Sequence, residues 1–309
     1  MKFLPLLLLF VAGHLTAQTS SQDFMLTTAS GQLAGTLLYP ASTDQVPLAL
    51  IIAGSGPTDR DGNNPMMQNN SLKMLAEGLA AHGIASVRFD KRGVGASKAA
   101  LQNERDIRFD HMIADVNGWV DTLAADPRFS GITVIGHSEG STIGMIAAQD
   151  DAVERYISIA GPGTKAADKL KEQLTRQAPM IMDQALPIFE QLEKGELVEE
   201  VPPLLNALFR PSVQPYLISW FKYDPQAEIA KLDKPVLVVQ GTTDLQVSVA
   251  DAELLLKGNE RAEALTIQEM NHVLKAATAD AGENMATYAD PDLPLQAGLV
   301  KGIVEFMRR

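Results

Sequence analysis

The pentapeptide Gly136-His137-Ser138-Glu139-Gly140 stands between an apolar run, Ile132-Thr133-Val134-Ile135, and a small-residue helical pattern from Ser141 to Ala148. The order is strand, sharp turn, helix, with serine at the apex. A G-x-S-x-G turn forces its serine into a strained backbone, and the flanking glycines keep side chains out of the crowded space where strand and helix meet. The hydroxyl is then exposed at a helix N-terminus, where the dipole and free N–H groups favour a developing oxyanion. An ordinary Gly/Ser turn can carry the same five letters; the strand before it and the helix after it are what mark Ser138 as a nucleophile.

A serine nucleophile needs a base and an acid that orients the base, and on a strand–turn–helix elbow these follow in the chain order Ser, Asp or Glu, His. Of the five histidines, His14, His82, His111 and His137 precede Ser138, which leaves His272 as the base. It lies just past the alternating strand Ala264-Leu265-Thr266-Ile267-Gln268. Many carboxylates lie between, among them Asp168, Asp183, Asp224, Asp233, Asp244 and Asp251. Only Asp244 follows a buried-type strand directly: Pro235 to Gln240 is a continuous apolar run ending in Gly241-Thr242-Thr243-Asp244, and open α/β sheets place their sites at the carboxyl ends of strands. Asp244 is the preferred orienter, with Asp233 and Asp251 as second choices. A turn-forming or N-capping aspartate would look the same in sequence.

The oxyanion needs two backbone donors. One is the N–H of Glu139, the residue after the nucleophile. The other belongs to a loop after an earlier strand, where Leu48 to Ala53 runs into Gly54-Ser55-Gly56-Pro57 and glycines let the backbone come close to a substrate carbonyl. Ser55 N–H is the choice there, with Gly56 as the alternate. No Gly-Lys-Ser/Thr follows, so these glycines do not read as a phosphate cradle.

Around these points buried strands alternate with helices. Strands near 24–29 and 32–39 join at Ser30-Gly31; a helix runs from Ser71, its expected N-cap, to His82, with Gly83 as the stop; a strand spans 84–89; an amphipathic helix spans 110–125; and a strand lies at 156–160. The alternation predicts a mostly parallel sheet with helices on both faces and right-handed crossovers. Between about 162 and 228 the sheet pattern stops and helical stretches punctuated by Pro202-Pro203, Pro211 and Pro215 take over.

These residues make the chain resemble the α/β-hydrolase superfamily from about Phe24 to Arg309. Arg88-Phe89-Asp90-Lys91-Arg92-Gly93-Val94-Gly95-Ala96-Ser97 is similar to the family's R-x-D-x-R-G-x-G-x-S segment. Together with Gly54 to Gly62 it resembles exported bacterial serine esterases near the dienelactone-hydrolase-like and prolyl-oligopeptidase-like branches. Two positions depart: Ala53 stands where many relatives carry histidine, and the nucleophile is serine where dienelactone hydrolases use cysteine. The resemblance implies an α/β-hydrolase domain over 18–309 whose helical insertion at about 162–228 is a cap. It also implies hydrolysis of carboxylic esters with small to medium acyl groups through an acyl-enzyme, without cofactor or metal. An aminopeptidase or amidase with the same triad is the alternative, and a non-catalytic binding protein on the same fold a further one.

At 309 residues and 46% hydrophobic composition the chain suffices for one large core. Lys2, the apolar stretch Leu4 to Val11 and Leu15-Thr16-Ala17 read as a signal peptide over 1–17, implying a mature start near Gln18 and a periplasmic or secreted protein. The apolar stretch is too short for a spanning helix, so no stable membrane insertion is expected. There is no cysteine, hence no disulfide and no thiolate metal site. The net charge of −12, or −13 once Lys2 leaves with the signal, disfavours nucleic acid and anionic membranes as partners; a small-molecule ester is the partner that the resemblance implies.

Weaker signals remain. Asp59-Arg60-Asp61-Gly62-Asn63-Asn64 has oxygens at alternating positions, but glycine is not sixth and Asn70 replaces the closing glutamate, so a structural turn is expected instead of a calcium loop. Arg88, Asp90 and Arg92 read as residues whose ion pairs or hydrogen bonds hold loops beneath the site, and His137 as one that packs or hydrogen-bonds locally. The Glu139 carboxylate either faces the pocket, where it would repel anions or hold an amine, or turns into a local hydrogen bond.

Overall fold

The computed structural model describes residues 19–42 and 44–309, so the stretch 1–17 read as a signal peptide lies outside the described residues. Among the described residues eight strands form one sheet: β1 (Ser20–Thr28), β2 (Gly31–Tyr39), β3 (Val46–Ile52), β4 (Ala85–Phe89), β5 (Phe129–His137), β6 (Val153–Ile159), β7 (Val236–Gly241) and β8 (Glu263–Ile267), in the order β1-β2-β4-β3-β5-β6-β7-β8. β1 and β2 are an antiparallel hairpin, with Leu26 opposite Leu33 and Gly31 at φ 138° closing the turn. β2 meets β4 antiparallel, and every pair from β4 to β8 is parallel.

The apolar runs of β3, β5, β6 and β7 are continuous because both faces of the sheet are covered. Alternate residues separate cleanly. Leu48, Leu50, Ile52, Val134, Tyr156, Val236 and Val238 enter one core with α2 (Phe109–Ala124) and α3 (Glu139–Ala147). Ala49, Ile51, Ala53, Ile135, Ile157, Leu237 and Val239 enter the other with α1 (Ser71–Ala80) and the helix Leu299–Met307. α1 begins differently from expectation: Asn70, at φ 53°, is its N-cap, and Ser71 is the first helical residue. Asn63 is the reason, because its amide bonds both the N–H and the side chain of Asn70 and holds that left-handed turn.

From β3 the chain goes to β4 on one side and later returns to β5 on the other. That reversal of strand order opens a crevice at the carboxyl ends of β3 and β5, the switch point where ligands of open α/β sheets bind. Between β6 and β7 lie α4 (Ala166–Gln177), α5 (Met182–Glu193) and the short helices Asn206–Phe209, Gln214–Trp220 and Pro225–Ile229. They have a core of their own, with Phe189 edge-on to Phe209 at 4.8 Å and Leu192, Leu205 and Leu217 around them. Phe109 of α2 ties this layer to the body: its ring stacks on Trp220 at 5.6 Å and its N–H donates to Ser219 at 2.8 Å. No helix among the described residues is long and apolar enough to cross a membrane.

Candidate active site

Ser138 sits between the end of β5 and the start of α3 at φ 55°, ψ −122°, a backbone that residues with side chains rarely adopt. The neighbouring glycines are sterically required. A Cβ on Gly140 would stand 2.5 Å from the Ile52 carbonyl oxygen and 2.7 Å from that of Ala53; one on Gly136 would overlap the Gly140 carbonyl and lie 2.5 Å from Ser141 Cα. The elbow therefore packs directly on the end of β3.

The three residues picked out by order along the chain meet here. Ser138 Oγ is 3.1 Å from His272 Nε2, and His272 Nδ1 donates to Asp244 Oδ2 at 2.8 Å. Asp244 has a fully buried side chain, and its other oxygen accepts the N–H groups of Gln246 at 2.7 Å and Val247 at 3.0 Å. Burial pushes its pKa up, but the His272 ring and these N–H donors outweigh burial and hold it below the usual carboxylate range. The His272 and Asp244 loops are braced together. Asn271 donates to Asn284 Oδ1, and Asn284 donates to the carbonyl of Thr243, beside Asp244. Of the other carboxylates, Asp251 is spent on Lys169 and on the N–H groups of Gly163 and Ser248, Asp224 caps the helix Pro225–Ile229, and Asp168, Asp183 and Asp233 are exposed.

The two proposed oxyanion donors line one cavity with Ser138. Glu139 opens α3, so its N–H precedes the first intrahelical bond and is unspent. Ser55 N–H likewise has no acceptor among the described residues. Lys91, at the carboxyl end of β4, is buried and donates its ammonium to the carbonyl of Gly54, and it lies 3.4 Å from Glu139 Oε1. The carbonyl and the following N–H of a trans peptide point in opposite directions, so fastening Gly54 O turns Ser55 N–H away from Lys91. One ammonium thus braces both donor segments. The Glu139 carboxylate is turned into this ion pair and against Tyr216, whose pKa rises well above its ordinary value through burial and that carboxylate. Lys91 escaped the sequence reading although it lies inside the quoted Arg88–Ser97 segment; its place at the end of a parallel strand was the available signal.

His137 was expected to pack or hydrogen-bond locally. Its Nε2 donates at 2.8 Å to the backbone carbonyl of His272, 135 residues away in the chain, which fixes it as the neutral Nε2–H tautomer and props the His272 loop. Burial, then the His272 ring, lower its pKa to about 3. An unfolded chain binds this proton below the ordinary histidine value of 6.5 while the folded one refuses it, so stability rises with pH in that window and is lost as pH falls. The contribution is about 1.4 kcal/mol per pH unit. Glutamine keeps a donor but cannot titrate, so His137→Gln is expected to flatten the pH dependence of the urea midpoint between about pH 4 and 6. An unchanged slope in the variant would show that this ring does not titrate on unfolding.

The remaining polar residues fix loops. Arg60 bonds Asp90 at 2.8 Å, Arg88 bonds Asp61 at 2.7 Å, and Arg92 chelates Asp115. Asp59 Oδ1 accepts the N–H groups of Asp61 and Asn63, both at 2.9 Å, as a turn does. Among the described residues no group of three or more His, Cys, Asp and Glu is arranged to hold a metal ion.

With this geometry in view, likenesses to known proteins become interpretable. The family described as "Serine aminopeptidase, S33" matches residues 68–201, less than half of the chain; the match includes Ser138 but stops before Asp244 and His272. Esterase EstD of Thermotoga maritima is 26% identical over 251 residues, which cover 78% of this chain and 58% of that protein. The chain thus spans under two thirds of that relative's length. Among solved structures, Est1E from Butyrivibrio proteoclasticus superposes with a TM-score of 0.61 at 18% identity, covering 93% of this chain and 99% of its own. The dienelactone hydrolase of Anabaena variabilis gives a TM-score of 0.55 at 15% identity, covering 94% and 98%. Sheet order, elbow and these likenesses agree, and the chain has the α/β-hydrolase fold.

Proposed function

We propose that the protein is a serine hydrolase of carboxylic esters. The observation that carries this is the unbroken hydrogen-bonded line from Asp244 through His272 to Ser138, beside two unspent N–H groups. His272, kept in the Nδ1–H tautomer by Asp244, takes the Ser138 proton as Oγ attacks the carbonyl, and the N–H groups of Ser55 and Glu139 hold the oxyanion. The alcohol leaves with a proton from His272. Water, deprotonated by the same imidazole, then releases the acid.

Charge distribution favours esters over aminoacyl amides. An aminopeptidase must hold a substrate ammonium, which calls for a carboxylate without a partner in the pocket. Glu139 has Lys91, and the other charged residues lining the cavity are paired too, Lys169 with Asp251 and Arg210 with Glu104. The walls of about 340 Å³ beside Ser138 include Ala166, Leu170, Leu208, Leu217 and Trp220, which suit a small to medium acyl group. The relative named as an esterase agrees with this reading, and the matched family's description keeps the peptidase reading in the experiment. Purified protein is expected to hydrolyse butyryl and hexanoyl esters with kcat/KM at least about a hundredfold above that for leucine or alanine anilides. Faster turnover of the anilides would reverse the assignment.

A further inference from the structure

Two cavities of different chemistry meet at Ser138. The first, about 340 Å³, has the apolar walls just described. The second, about 290 Å³, carries Pro57, Met67 and Val273 on its walls but adds the neutral polar side chains Thr58, Asn64, Asn69, Ser71 and Tyr288, together with His272; Gln246 lines both cavities. His272 lines only the second.

That asymmetry decides which part of an ester lies where, given the serine-hydrolase reading on which this inference rests. Attack bonds Ser138 Oγ to the carbonyl carbon and moves the Oγ proton to His272 Nε2. Collapse of the intermediate breaks the bond from carbon to the alkoxy oxygen, and Nε2–H returns the proton to that departing oxygen. The alkoxy oxygen must therefore lie within hydrogen-bond reach of Nε2. The group it carries occupies the cavity that His272 lines, and the acyl chain takes the apolar one.

The His272-side cavity has neutral hydrogen-bonding capacity to spare. Asn64 Oδ1 accepts the N–H groups of Met66 and Met67, while its amide nitrogen has no acceptor among the described residues. Tyr288 accepts from Gln246 Nε2 at 3.3 Å, which leaves the phenolic proton to donate. Ser71 Oγ has no hydrogen-bond partner among the described residues, and Thr58 donates to the Ser55 carbonyl but keeps its lone pairs. No Asp, Glu, Lys or Arg among the described residues lines this space. A charged alcohol would lose hydration there without a counter-charge, and a hydrocarbon alcohol would strand these polar groups dry. We infer that the substrate joins an apolar acyl group to a neutral alcohol bearing several hydroxyls, such as a sugar or glycerol unit, with Asn64, Ser71 and Tyr288 reading those hydroxyls.

The test compares hexanoyl esters of glucose, hexanol and choline by pH-stat, and then adds glucose or hexanol as competing acceptors for the acyl-enzyme. The glucose ester is expected to exceed the other two by about tenfold in kcat/KM, the size that one or two well-placed hydrogen bonds supply. Glucose should also divert the acyl group into new ester more than hexanol does, because the leaving-group cavity is where an acceptor enters. Tyr288→Phe and Asn64→Leu should each lower the glucose-to-hexyl ratio by about three- to tenfold while preserving the ranking of acyl lengths. Preference for the hexyl or choline ester overturns the inference, as does a ranking of acyl lengths that moves while the alcohol ratio stays. If either variant fails to fold, acceptor partitioning in the unaltered protein decides alone. Should no ester be turned over in a way that Ser138→Ala abolishes, the hydrolase reading falls first, and this inference with it.

Discussion

Ser138→Ala and His272→Ala are each expected to lower kcat for a hexanoyl ester by on the order of 10⁴- to 10⁶-fold, with the thermal midpoint little changed. The expectation rests on the hydrogen bonds at 3.1 Å and 2.8 Å that make the three side chains one device. Without the serine there is no acyl-enzyme, and without the imidazole Oγ keeps its proton. Because each substitution disables the same step, the double variant should be little worse than either single one. Asp244→Asn should cost up to about 10⁴-fold, since an amide facing Nδ1 can stabilise the wrong tautomer. Steady-state kinetics and an active-site acylation burst measure all four. A burst that survives Ser138→Ala would end the serine mechanism.

Lys91→Met is the second large effect expected, at about 10- to 100-fold in kcat with KM nearly constant. The ammonium touches no reacting atom. It positions the hole by holding the Gly54 carbonyl on one side and the Glu139 carboxylate on the other, and so aims Ser55 N–H. Oxyanion contacts strengthen only as the carbonyl becomes tetrahedral, which is why the loss should appear in kcat. The substitution also strands a buried carboxylate, at a cost to stability of about 3–5 kcal/mol. Removing both charges in Lys91→Met/Glu139→Gln separates the two consequences. Stability should largely return, while kcat and the affinity for a trifluoromethyl ketone, which binds as an oxyanion, should stay low. A double variant with normal kcat would reduce Lys91 to a structural ion pair.

Export, read from Lys2 and the apolar stretch behind it, is a question for N-terminal sequencing of the native protein, because those residues lie outside the described structure. The helical layer between β6 and β7 is different. Its existence follows from the loss of sheet pattern after Pro162, whereas its seat above Ser138 depends on Phe109 stacking on Trp220 and on Arg210 reaching Glu104, contacts between segments far apart in the chain.

Elements whose signals are local can be read directly from the amino-acid order. The elbow is legible because two glycines must flank any residue forced to φ 55° between a strand and a helix. The parallel sheet is legible because strands buried on both faces are apolar at every position. His272 and Asp244 follow from chain order and strand ends. The reach of Lys91 to Gly54 and Glu139, the support that His137 gives the His272 loop, and the set of polar side chains that share the His272 cavity arise from the packing of distant segments. These contacts join segments 37 to 135 residues apart. Their geometry depends on β3 lying between β4 and β5, and the period of an apolar strand records which residues are buried but carries no record of its neighbours.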